Sequence, residues 1–131
     1  MKPNMIWANL AVSSLERTQK FYTELGCKPN NPHHSDELVS FFFGDNEFVI
    51  HFFLKNIIEA NLKDLRFGDA RQTNEIIFTL SAETRDQVDQ WADEVKKAGG
   101  TIVSAPESFG NQYYGFVFAD PDGHKFNVFH M

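Results

Sequence analysis

One order of elements is written twice along this chain. The runs "MIWANLAV" (5–12) and "EIIFTLSA" (75–82) both mix apolar and small side chains with partial alternation, the pattern of a strand with two unlike faces. Each run precedes a helix start. Ser13 with Glu16, and Thr84 with Gln87, have the spacing of a capping box, in which a hydroxyl satisfies a free amide of the first turn. The first helix is expected over 14–25, with Leu15, Phe21, Tyr22 and Leu25 on its apolar side and Gly26 as its stop. The second carries Val88, Trp91, Ala92, Val95 and Ala98 at helical spacing, followed by Gly99 and Gly100. Further strand-like runs come next: "ELVSFFFG" and "EFVIHFFL" in the first half, then "GTIVSA", "YGFVFAD" and "HKFNVFHM" in the second. In "DPDGH", Pro121 presets φ and Gly123 accepts a positive φ, which is strong turn chemistry. The expected unit is therefore βαβββ, over 5–56 and again over 74–131. A short helix and a polar linker, 57–73, lie between the two.

The alternation assigns faces. Ile6, Ala8, Leu10 and Val12 would lie under the first helix, and Trp7, Asn9 and Ala11 on the opposite side. In the second module Ile76, Phe78 and Leu80 match the first set, and Ile77, Thr79 and Ser81 the second. The fold class implied is α+β, two βαβββ modules, with the mixed-character faces lining a concave face shared by both.

Composition narrows the function. A hydrophobic content of 42%, with fourteen Phe, suits a packed interior and not a disordered chain. A formal charge of −6 argues against a nucleic-acid partner, whose phosphates demand a basic face. Polar Asn9 interrupts the short apolar run near the start, so a signal peptide is not expected, and no run reaches the length of a membrane span. The single cysteine, Cys27, fits a reducing cytoplasm, the expected location.

Taken in order, "NLAVSSLERTQKFYTELG", "FVIHFFL", "AGGTIV" and "FVFADPDGHKFNVFHM" resemble the vicinal oxygen chelate superfamily, which includes glyoxalase I, bleomycin-resistance proteins and extradiol dioxygenases. The resemblance covers nearly the whole chain and looks closest to small glyoxalase-like proteins, of the kind labelled predicted lactoylglutathione lyases. It implies paired βαβββ modules forming curved mixed sheets around a cleft, and a homodimer. It also implies a divalent ion held by His, Glu or Gln from the first and last strands of each module, where the ion polarises neighbouring substrate oxygens.

The positions matching those ligands here are Trp7, Ile77, His51 and Asn127. Trp and Ile cannot ligate, and Asn binds only weakly through its carbonyl. A two-residue slip would bring in Glu75, with Asn9 nearby, and His51, Glu75 and Asn127 are then the best metal set the chain offers. The expectation is a protein without metal or other cofactor that binds a small molecule. The alternative is a metal-dependent lyase, isomerase or dioxygenase acting on vicinal oxygens. Trp7, Phe53 and Phe129 would form an aromatic wall, with Asn9, His51, Thr79 and Asn127 as its polar groups. Strand aromatics serve equally as core. His51 reads either as a base or ligand-orienting donor, or as a buried histidine bonded to Asn127. His33 and His34 are expected in a solvated loop, His124 in the hairpin turn, and Tyr113 and Tyr114 on a mobile loop over the cleft. No phosphate loop or nucleophile elbow is present in the sequence. The expected partners are a small-molecule ligand and a second copy of the chain, with no nucleic acid and no membrane.

Overall fold

The structure, a computed structural model, describes residues 1–63 and 65–131. It divides into two compact units, Met1–Phe67 and Gly68–Met131. The first runs β1 (Ala8–Val12), α1 (Leu15–Glu24), β2 (Lys28–Pro29), a 3-10 turn (Asn31–His33), β3 (Leu38–Phe43), β4 (Phe48–Leu54) and α2 (Lys55–Asn61). The second runs β5 (Ile77–Ser81), α3 (Arg85–Ala98), β6 (Thr101–Phe109), β7 (Tyr113–Ala119) and β8 (Lys125–His130). The sheets are ordered β1-β4-β3-β2 and β5-β8-β7-β6. In each, the first strand pairs parallel with the last, and the other pairings are antiparallel. The fold is α+β, with the βαβββ order realised twice on mixed sheets. Among the described residues, no helix is long and apolar enough to cross a membrane.

The helix starts follow the hydroxyl logic with one shift. Ser14, not Ser13, caps α1: it is the last extended residue (φ −148°, ψ 115°), and its Oγ accepts from Arg17 N at 3.2 Å. Ser13 Oγ instead accepts from the Arg17 guanidinium at 2.7 Å. Thr84 caps α3, accepting from Gln87 N at 3.0 Å, while Gln87 Oε1 accepts from Glu83 N, so the box closes one residue early. The strand starts are shorter than the apolar runs. Parallel pairing begins at Ala8 opposite Ile50 and at Ile77 opposite Lys125, which leaves Ile6 78% exposed where burial under the helix was expected. Residues 108–115, expected as a mobile loop carrying Tyr113 and Tyr114, belong to a hairpin: β6 pairs with β7 as far as Phe109 opposite Tyr113, through two register shifts.

Phenylalanine fills both cores. In the first unit Tyr22 of α1 sits against Phe41 of β3 and Phe52 of β4, with ring centroids 5.6 and 4.6 Å away. In the second, Phe118 stacks on Phe126 at 5.1 Å beneath Val88, Ala92 and Val95 of α3, all buried. Each such ring contributes about 1.5–3 kcal/mol on burial. Much of the Phe supply is therefore consumed inside the units.

The β7–β8 turn is fastened as well as tight. Gly123 N donates to Asp120 O at 2.9 Å. Buried Asp120 accepts from Asp122 N and His124 N through Oδ1, and lies 2.8 Å from His124 Nδ1 through Oδ2. Lys125 Nζ donates to both Ala70 O and Gly123 O. Gly123 has φ +96°, and a Cβ there would stand 2.5 Å from Arg71 N and 2.7 Å from Ala70 C, both backbone atoms. Gly123→Ala therefore meets a conformational penalty and a steric one. A destabilisation of about 2–4 kcal/mol is expected, read as a lower urea midpoint at unchanged slope.

Candidate functional site

Strand pairing assembles a row of polar side chains in the first unit. Asn9 of β1 and Ser40 of β3 both lie opposite His51 of β4. The β4 alternation buries Ile50 and Phe52 on the helix side and leaves His51 and Phe53 half-buried on the other. Around the His51 imidazole stand three rings: Trp7 at 6.4 Å and Phe53 at 6.0 Å, both edge-on, and His33 at 5.3 Å. Trp7 precedes β1 and is 51% exposed.

Beneath His51 lies a polar chain. Ser40 is fully buried. Its Oγ accepts from Asn30 Nδ2 at 3.2 Å and lies 2.8 Å from His51 Nδ1. An amide nitrogen only donates, so the hydroxyl keeps its own proton and a second lone pair for His51 Nδ1, toward which it can donate or accept. Burial, and secondarily the neighbouring His33 charge, hold the His51 pKa below its ordinary 6.5. The Ser40 carbonyl accepts from Asn30 N at 2.9 Å and from His34 Nε2 at 2.8 Å.

The corresponding face of the second unit is plainer. Thr79 of β5 and Val117 of β7 flank half-buried Asn127 of β8. Half-buried Phe129 meets Tyr113 edge-on at 5.7 Å, and Tyr113 stacks on Phe109 at 5.5 Å. Gly115 lies opposite Phe129, where a Cβ would come within 2.3 Å of Val128 O.

The seven predicted site residues thus form two groups. Trp7, Asn9, His51 and Phe53 belong to the first unit, and Thr79, Asn127 and Phe129 to the second. The hydrogen-bond partner found for His51 is Ser40, in place of the expected Asn127. His33 and His34 are not a merely solvated loop, since one ring lies against His51 and the other is tied to Ser40. Tyr114 is no flap: its hydroxyl donates to Asp89 Oδ1 at 2.6 Å, and its ring lies under the Arg85 guanidinium. Cys27 is half-buried, and desolvation pushes its thiol up to about 12, far from a thiolate nucleophile at neutral pH. Sequence reasoning missed Asn30 and Ser40. The available signal was one serine inside the apolar run "LVSFFF".

These residues do not fit a resident ion. Trp7 and Ile77 offer no ligating atom, and Asn127 offers only a weakly binding carbonyl, so His51 is the one good ligand among the matched positions. Glu75 is exposed and precedes the paired part of β5. Among the described residues, no group of three or more His, Cys, Asp or Glu is arranged to hold a metal.

Comparison with known proteins agrees with the architecture. A hypothetical protein from S. aureus superposes with a TM-score of 0.85 at 29% identity, covering 100% of this chain and 96% of its own. A glyoxalase-related enzyme from Fulvimarina pelagi gives 0.83 at 18% identity, covering 98% and 89%. A lactoylglutathione lyase from Agrobacterium tumefaciens gives 0.69 at 20% identity, covering 99% and 96%. No curated protein matches. The family model described as glyoxalase/bleomycin resistance protein/dioxygenase superfamily matches residues 4–128, and the chain belongs to that superfamily.

Proposed function

We propose that this protein binds a small planar molecule without a metal or other cofactor. Trp7, Asn9, His51 and Phe53 would act on the first unit, and Thr79, Asn127 and Phe129 on the second. The observation carrying this reading is the ring frame around His51, whose Nδ1 is hydrogen-bonded within the protein to Ser40. Aromatic surroundings with a few oriented polar groups are the usual form of a small-molecule site. The competing reading, a metal-dependent lyase, isomerase or dioxygenase, draws on superfamily membership and needs ligands that these positions lack. A cytoplasmic homodimer completes the proposal.

Thermal unfolding separates the readings. Stripped protein titrated with Ni, Zn, Mn or Fe should keep its midpoint, whereas a planar aromatic ligand at a hundred times its Kd should add about 2.7 kcal/mol. A midpoint raised by an ion alone would sink the proposal. Light scattering at micromolar concentration should give the mass of a dimer, and a monomer would count against that part.

Stability should also depend on pH through His51. Its folded pKa lies below its unfolded value, so the unfolded chain binds more protons between the two. The contribution is intact above pH 6.5 and is lost as pH falls through the window beneath it. His51→Gln should flatten this part of the curve, measured as the difference in urea midpoint between wild type and variant across pH 5–7.5. An unchanged difference would remove His51 as its source.

A further inference from the structure

The geometry points to Asn30 and Ser40 as positioning residues that present His51 as an Nε2–H donor, making this face selective for planar ligands that carry an acceptor oxygen, such as aryl carboxylates. This rests on the binding proposal for its ligand class, but not for the positioning itself.

Three histidines are organised by these two residues. His51 Nδ1 meets Ser40 Oγ at 2.8 Å, and His34 Nε2 meets Ser40 O, also at 2.8 Å. His33 N donates to Asn30 O at 3.0 Å, at the start of the turn that brings the His33 ring to 5.3 Å from His51. Asn30 and Ser40 are themselves joined twice, backbone to backbone at 2.9 Å and side chain to side chain at 3.2 Å. Both are buried, so their hydrogen bonds are protected from competing water. In the proposed arrangement the hydroxyl receives from Asn30 and gives to Nδ1, which leaves the imidazole one further function, donation from Nε2. A donor among ring edges suits an acceptor in the plane of an aromatic ligand and disfavours a cation. The chain's net charge of −6 pulls the other way, so a preference for an anionic probe would have to arise locally.

The test uses the full-length, 15N-labelled protein. Long-range imidazole spectra at pH 7.5 should show His51 with unprotonated Nδ1 and protonated Nε2. Ser40→Ala should convert this to a tautomer mixture, and Ser40→Thr should restore it. An Nδ1–H pattern in the wild type, which needs no variant to fold, or an unchanged pattern in Ser40→Ala, overturns the positioning role. In parallel, 2-naphthoate and 2-naphthylmethylammonium are titrated against the His51 signals. The carboxylate should bind about tenfold more tightly, and Ser40→Ala should cut that ratio to about twofold. Equal or tighter binding of the ammonium overturns the ligand class alone. If neither probe perturbs His51, the ligand class and the binding proposal for this face both fall, while the tautomer pattern still decides the positioning role.

Discussion

The rest of the structure depends on parallel pairing between the first and last strand of each module. β1 beside β4, and β5 beside β8, require a crossover between distant parts of the chain, and the helix of each module lies within that crossover. Once the register is set, alternation leaves no freedom. Ile50, Phe52, Phe126 and Val128 must face the helix, and His51, Phe53, Asn127 and Phe129 must face away. A slip of one residue would exchange the two sets and bury His51 and Asn127 in a phenylalanine core, which explains why the register is so strongly specified.

The two faces carry different chemistry because they meet different needs. The helix side is packed with rings whose value is burial. The opposite side of the first unit keeps a single connected polar cluster, Asn30–Ser40–His51 with His34, in which each group supplies what its neighbour requires. Such clusters are costly when half-satisfied, so its completeness accounts for how Ser40 can be fully buried in a strand that otherwise reads apolar.

Superfamily membership sets what is unusual here. The resemblance places the ligands of metal-dependent members on the first and last strand of each module. At the positions that the resemblance matches to these, this chain holds an indole, an aliphatic side chain, an amide and an imidazole. The scaffold is that of the superfamily, and the chemistry of those side chains supports the proposed binding role without an ion.

Much of this was legible in the residues themselves. The repeated order of elements, both helix spans, the "DPDGH" turn and the face of each strand follow from local rules: period, caps, and glycine at positive φ. What local rules could not supply was anything depending on a partner strand. The cap moved from Ser13 to Ser14, and β1 began at Ala8 in place of residue 5, because the point where pairing starts decides where extended chain becomes strand. Residues 108–115 read as a loop because register shifts in β6 hide their pairing. The partner of His51 was beyond local reasoning for the same reason. Ser40 and His51 are eleven positions apart in sequence and meet only because antiparallel β3 sets them side by side. The sequence by itself thus determined the elements and their faces, since those depend on near neighbours. Tertiary structure alone decided which polar atoms meet, since hydrogen bonds form between groups that folding brings within 3 Å of each other.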